Sequence, residues 1–149
     1  PKVRRWADLG SGAGFPGLVV ACTWNDTGRV MHLVESNHRK CAFLREAARS
    51  LGLSVEVHST RIEKAVPSLL SEKIELVSAR ALASLAQLIH YCAPLVDNHA
   101  EALFLKGQDV DKELTEATKY WNISAEMIPS KTDPDGRIVS ITKVETRAG

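Results

Sequence analysis

Asp8-Leu9-Gly10-Ser11-Gly12-Ala13-Gly14-Phe15-Pro16-Gly17 is the stretch that decides the fold. It is entered from a short apolar run (Val3, Trp6, Ala7, Leu9) and left into Leu18-Val19-Val20-Ala21, the layout of a strand, a tight loop and a helix. The glycines at 10, 12, 14 and 17 let the backbone take positive φ and let a ligand come close to it. Pro16 suits the first turn of a helix, and the unpaired N–H groups there are expected to receive a polar ligand. Asp8 stands where the strand ends and is expected to face the same crevice.

Outward from this loop the chain alternates between two periods. Residues 16–24 read as a short helix, 25–28 as a turn, and 30–34 as a second strand ending on Glu35. Cys41, Leu44, Ala47, Ala48 and Leu51 recur at helical spacing, and Gly52 stands where a C′ residue belongs. Alternation over 53–58 predicts a third strand, followed by Ile62 and Glu63 in a loop or short helix that Pro67 interrupts. A fourth strand is expected at 74–78, then a helix from about 82 to 91 stopped by Pro94. Residues 102–105, closed by Lys106-Gly107, read as a fifth, buried strand, and 109–121 as an amphipathic helix whose acidic start, with Glu113, suits the helix dipole. The turn signature Asp133-Pro134-Asp135-Gly136 joins 123–128 and 138–144 in an antiparallel hairpin.

Strands alternating with helices predict an α/β fold: a Rossmann-like, mostly parallel sheet with right-handed crossovers and a C-terminal antiparallel hairpin. Ligands in such folds bind outside the carboxyl ends of the strands. That rule gathers the glycine loop, Glu35, Ile62, Glu63, Arg80 and Lys106.

With 149 residues, 44% hydrophobic and 25% charged, the composition predicts one globular domain over 1–149 and excludes disordered and collagen-like classes. No apolar run approaches the ~18 residues of a membrane span, and no signal peptide opens the chain, so no membrane partner is expected. Cys22, Cys41 and Cys92 lack CxxC pairing and read as reduced, small core residues in helices of a cytoplasmic protein. The five histidines, including His32 and His58, show no metal-ligand spacing, and no metal is expected. A net charge of +1 means that a polyanion must be met by a local patch, with Lys2, Arg4, Arg5, Arg39 and Lys40 as candidates. The chain opens at Pro1, with no Met, directly before the first strand, so an N-terminal extension is expected to be missing.

Gly12-x-Gly14-x-x-Gly17 matches the dinucleotide fingerprint, with Glu35 about 20 positions on to hold a ribose. An NAD-type oxidoreductase or sensor domain is therefore one reading. Asp8 opposes it, because a carboxylate about 4–6 Å from a pyrophosphate is repelled by a few kcal/mol at an effective dielectric near 20. S-adenosylmethionine joins a cationic ammonium and sulfonium to the same adenosine, which Asp8 attracts while Glu35 accepts both ribose hydroxyls. An N-cap-like Asp8 that satisfies loop N–H groups is the other reading of that residue.

Transfer of a methyl group from a sulfonium is an in-line displacement, so the acceptor decides which side chains are needed. Amino-group methyltransferases on nucleic acid resemble one another in an Asn/Asp-Pro-Pro-aromatic motif after strand four, where this chain reads Ser78-Ala79-Arg80-Ala81-Leu82. Carbon methylation of pyrimidines needs a cysteine nucleophile, and Cys92 lies at the far end of a helix. What remains is an acceptor with a free lone pair, such as a ring nitrogen, which needs orientation and desolvation. A basic residue could orient it through phosphate or the guanine O6/N7 edge. Arg80 is the candidate, an ion pair with Glu72 or Glu75 being its other reading.

Five motifs carry a specific resemblance: 7–17, Val34-Glu35-Ser36 followed by Arg39-Lys40 and Phe43-Leu44, residues 77–83, Leu105-Lys106-Gly107, and Arg137-Ile138-Val139. Over nearly the whole chain the sequence resembles the RsmG (GidB) family, bacterial methyltransferases acting on guanine N7 in 16S ribosomal RNA. The resemblance implies a class I S-adenosylmethionine-dependent methyltransferase fold, S-adenosyl-L-methionine as cofactor, and 16S ribosomal RNA or a small-subunit assembly particle as partner of a monomer. It implies cofactor contacts from Gly10 and Phe15 besides Asp8, Gly12 and Gly14, from Glu35 with Ser36 at the ribose, and from Ile62 with Glu63 at adenine. Arg80 would line the site between cofactor and RNA as the catalytic residue, and Lys106 and Arg137 would face the RNA. The helical segment that the family carries before strand one is absent from this sequence.

Overall fold

The computed structural model describes residues 2–25, 28–80 and 82–148. The centre of the expected 25–28 turn and Ala81 of the fourth-strand motif lie outside the described residues. The first half runs β1 (Arg5–Leu9), α1 (Gly17–Cys22), β2 (Val30–Glu35), α2 (His38–Leu51), β3 (Val55–Ser59) and α3 (Ile62–Ser71). It continues with β4 (Leu76–Arg80), α4 (Leu85–Asp97), β5 (Glu101–Lys106), α5 (Val110–Ala117), β6 (Trp121–Pro129) and β7 (Arg137–Thr146).

The strands form one seven-stranded sheet in the order β3-β2-β1-β4-β5-β7-β6. The first five are parallel, and β7 pairs antiparallel with both β5 and β6. Strand alternation sends Met31 and Leu33 to one face, where they pack with Leu18, Ala21, Leu44 and Ala48 of α1 and α2. Ala7, Leu9, Val34, Val77, Ala79 and Phe104 go to the other face, under α3, α4 and α5. The chain reverses direction across the sheet between β1 and β4, and the crevice at their carboxyl ends is the switch point where such folds bind ligands.

Local chemistry accounts for the best-defined boundaries. Asn37 caps α2 by accepting from the Arg39 and Lys40 N–H groups, and Gly52 ends it at φ 64°. Two prolines depart from expectation: Pro67 lies inside α3 and Pro94 inside α4. Both are exposed, as are Glu63 and His90, the residues whose carbonyls they leave without a helical donor, so the interruption falls on the solvent face. The fourth strand and its following helix each begin two to three residues later than expected. The helix expected to reach Trp121 ends at Ala117, because Trp121 opens β6 opposite Thr146. Cys41 and Cys92 are buried, but Cys22 is exposed rather than a core residue. Among the described residues, no helix is long and apolar enough to cross a membrane.

Candidate active site

The glycine loop is tied to the end of β2. Gly10 and Ser11 both donate to the Val34 carbonyl, at 2.8 and 3.0 Å. Positive φ at Gly10 (69°), Gly12 (56°) and Gly14 (102°) makes that path possible. It also delivers the Gly12 N–H to Glu35 Oε1 at 3.0 Å, while Asn37 N–H donates to Glu35 Oε2 at 2.8 Å. The carboxylate is thus clamped from two sides, and each oxygen keeps acceptor capacity for a further donor.

Glu35 opens onto a crevice of about 270 Å³ whose walls include Gly10, Ser36, Ile62, Glu63, Leu82 and Tyr91. Gly10, Glu35, Ser36, Ile62 and Glu63, gathered from three loops, therefore meet in one place as expected. A Cβ at Gly10 would lie 2.8 Å from Leu82 Cδ1, so glycine there lets Leu82 close the wall. A clamped carboxylate with spare lone pairs suits a vicinal diol, and Ile62 and Leu82 suit the faces of a flat ring.

Other expected cofactor residues are placed differently. Asp8 is 1% exposed and does not reach the crevice. It shares a strand face with Trp6, and α1 covers that face. Its Oδ1 accepts from Ser78 Oγ at 2.7 Å, and its Oδ2 accepts from Gly17 N–H at 3.2 Å. Trp6 Nε1 donates to Ser78 Oγ at 2.8 Å, extending the buried chain. Burial raises the Asp8 carboxyl from 3.8 to about 6, against the opposing hydrogen bonds of Ser78, Ser11 and Gly17 and the charge of Arg80. The loop-satisfying reading of Asp8 is the one its contacts match, and any pull on a cation acts through space.

The same contacts remove the N–H cradle expected at the start of α1. Gly17 donates to Asp8, and Leu18 and Val19 donate to the Gly14 carbonyl at 2.8 and 3.2 Å. A pyrophosphate would find these donors taken. Gly14 is buried against Leu18 and Leu44, where a Cβ would come within 2.7 Å of Leu18 Cβ, so close packing requires glycine there. Phe15 is 53% exposed and outside the crevice, with the Arg80 guanidinium 5.8 Å from its ring centroid.

Arg80, Lys106 and Arg137 border a second cavity of about 680 Å³ between the end of β4 and the β6–β7 turn. Arg80 is exposed and forms no ion pair with Glu72 or Glu75: Glu72 meets Arg5, and Glu75 accepts from the Arg4 and Arg5 N–H groups. Lys106, expected to face RNA, is engaged within the chain. Its ammonium pairs with Glu113 Oε2 at 2.8 Å and donates to the Ala83 carbonyl at 3.0 Å, with the side chain only 8% exposed. Glu113, read from sequence as a helix-dipole residue, is the half-buried partner that the sequence reading missed. Arg137 uses Nη1 to brace its own turn at the Pro134 and Gly136 carbonyls, leaving its other N–H groups toward the cavity.

Gln87 and Tyr91 were also not singled out from sequence. They sit one turn apart on α4, with Gln87 Nε2 donating to the Tyr91 hydroxyl at 2.9 Å, and both line the crevice. Burial, followed by the neighbouring Glu63 carboxylate, pushes the Tyr91 hydroxyl above its usual range. Their i, i+4 spacing on the helix after β4 was the available signal.

A parallel five-stranded core with an antiparallel β7 inserted before β6, and an acidic residue clamped at the end of β2, define a Rossmann-like class I methyltransferase fold. The N-terminal domain of human METTL16, solved in complex with SAH, has the same fold at a TM-score of 0.67, with 13% identity over 95% of this chain and 62% of that one. Residues 1–139 match the family model GidB, rRNA small subunit methyltransferase G, and the chain belongs to that family. Ribosomal RNA small subunit methyltransferase G of Nitrobacter hamburgensis is 49% identical over 148 residues, 99% of this chain and 56% of its own length. The protein of that name from Bradyrhizobium sp. strain ORS 278 is 49% identical over 149 residues, with 67% of its length covered. The chain therefore spans just over half to two thirds of these two relatives.

Proposed function

We propose that this chain is a methyltransferase domain that transfers a methyl group from S-adenosyl-L-methionine to N7 of a guanine in 16S ribosomal RNA, in the cytoplasm. The observation that carries the reading is the family match over residues 1–139. The crevice at the carboxyl ends of β1 to β4 supports the donor half of it independently.

In this reading Glu35 accepts from the two ribose hydroxyls with the lone pairs that Gly12 and Asn37 leave free. Ile62, Glu63 and Leu82 flank adenine, and Gln87 and Tyr91 close the same end. When bound, S-adenosylmethionine supplies a methyl group on a cationic sulfonium. Guanine N7 attacks with an existing lone pair, so no side chain has to remove a proton before transfer. The protein's task is placement. Arg80, Leu82 and Ala83 divide the work: Leu82 and Ala83 face the donor crevice, and Arg80 faces the larger cavity beside it, where it can address phosphate or guanine O6. Arg137 adds positive charge on the far wall of that cavity.

The NAD-type reading loses its footing because the N–H groups that would bind a pyrophosphate are occupied by Asp8 and Gly14. Calorimetry with S-adenosylhomocysteine and NADH separates the two: binding of the first alone is expected, and binding of NADH alone refutes the proposal. Mass spectrometry of small-subunit RNA from cells with and without the gene tests the acceptor. An unchanged m7G content refutes it.

A further inference from the structure

We propose that His32, Glu56 and His58 form a binding site for one divalent cation of the zinc class, on the sheet face opposite α1 and α2. His32 lies in the middle of β2, and Glu56 pairs with it directly across to β3. His58 pairs with Val34, one step along the same face, so its ring leans diagonally toward His32. The result brings His32 Nδ1 to 3.0 Å from His58 Nε2 and 3.4 Å from Glu56 Oε2. One donor atom from each residue lies within 4.8 Å of the others.

Those separations are near what a cation needs. Ligands about 2.0–2.1 Å from a tetrahedral zinc are about 3.3 Å from one another. Nδ1 carries either one hydrogen or one lone pair, yet it faces an acceptor-only carboxylate oxygen and a second imidazole nitrogen. A cation at their common point is met by all three lone pairs.

The surroundings favour the ligating form. His32 is fully buried, its Nε2 has no partner, and its polar engagement lies entirely at Nδ1. Burial lowers its pKa, against the opposing pull of Glu56. Glu56 is exposed and His58 half-buried, which gives an ion a path from solvent. Two imidazoles and one carboxylate suit zinc, cobalt or nickel; calcium and magnesium take oxygen ligands. Three protein ligands leave a fourth position for water. The site lies apart from the glycine loop, but His58 is two residues before Thr60, which lines the crevice. A bound ion would fasten edge strand β3 to β2 next to that wall.

The test uses the 149-residue chain carrying Cys22→Ser, which removes an exposed competing thiol. Zinc chloride is titrated by calorimetry after chelator treatment, and cobalt chloride by absorption spectroscopy. One equivalent is expected to bind. Glu56→Gln and His58→Gln are each expected to weaken it by about 10-fold or more, while His90→Gln, an exposed histidine on α4, changes nothing. Circular dichroism in chelator shows whether the variants remain folded. Independently of any variant, zinc-edge anomalous scattering from crystals of the parent should place the ion about 2.0–2.1 Å from the two imidazoles. Absence of saturable binding in millimolar zinc, unchanged affinity in His58→Gln, or an anomalous peak elsewhere would overturn the proposal.

Discussion

Asp8→Asn tests whether the carboxylate under the glycine loop is the buried, costly group that its geometry describes. Burial lifts this carboxyl from 3.8 to about 6. A native pKa above the unfolded one means that the folded chain retains a proton in a window where the unfolded chain has lost it. The contribution to stability is full below about 3.8 and is lost as pH rises through about 6. Two pKa units at about 1.4 kcal/mol each amount to about 3 kcal/mol. Asp8→Asn removes this titration and leaves the other groups in place, so the stability difference between parent and variant isolates it. At about pH 4 the two proteins should be close in stability, because protonated Asp8 and an asparagine can both accept from Gly17 N–H with the carbonyl oxygen and donate to Ser78 Oγ with the other atom. By about pH 7 the difference should have moved toward the variant by about 3 kcal/mol. Urea unfolding of both proteins across that range measures it. A difference that stays constant, or that grows in the parent's favour as pH rises, would refute the assignment of a raised pKa to Asp8.

Gly17→Ala should destabilise the chain by about 2 kcal/mol or more, since a Cβ there would sit 2.5 Å from Leu33 Cδ2 and 2.8 Å from the Asp8 carboxylate; the urea midpoint reports it. Glu35→Gln should weaken S-adenosylhomocysteine binding by about 10-fold or more, because hydrogen bonds to a charged acceptor are worth about 1.5–3 kcal/mol. An unchanged Kd would remove Glu35 from the site. Arg80→Ala should abolish methyl transfer to small-subunit RNA while shifting stability by only about 0.5–1 kcal/mol, the worth of an exposed cation–π contact with Phe15. Lys106→Met should cost about 1–3 kcal/mol of stability, because the Ala83 carbonyl loses its donor and Glu113 keeps the Leu85 N–H but loses its cation. A normal urea midpoint with weakened RNA binding would instead return Lys106 to the RNA-facing role.

Much of the fold was legible because it rests on short-range chemistry. The glycine loop, the helical repeat closed by Gly52, and the Asp133-Pro134-Asp135-Gly136 turn each act within a few residues. Glu35 was legible for a related reason: the end of a strand in a parallel sheet has a known relation to the ligand crevice. What could not be read depends on facts that no local pattern holds. Asp8 turned inward because α1 covers the strand face it shares with Trp6, and the order of residues does not say which face is covered at the strand's last turn. Lys106 is consumed by Glu113, a partner seven residues on that only the packing of α5 against α4 brings near. His32, Glu56 and His58 meet through the register of β2 with β3, whereas spacing along the chain gave them no relation. Pro67 and Pro94 misled because the interruption each makes falls on the solvent face of its helix.

These misplaced residues bear on how the two cavities work together. The segment that follows β4 divides the donor crevice from the larger basic cavity, and in a flexible loop its two sides could move independently. Here Arg80, Ala83 and Leu85 are each tied to the fold. Arg80 is still in register with Leu105 of β5. Three residues on, the Ala83 carbonyl takes a hydrogen bond from Lys106, and the Leu85 N–H donates to Glu113 Oε2 at 2.8 Å. Because Glu113 also pairs with Lys106, both anchors belong to one partly buried ion pair joining β5 to α5. The wall against the donor and the guanidinium offered to the acceptor are therefore fixed to the same strand. For an in-line transfer that needs no proton removed beforehand, fixed orientation of donor and acceptor is the main lever left to the protein. Lys106 thus anchors Ala83, three residues beyond Arg80.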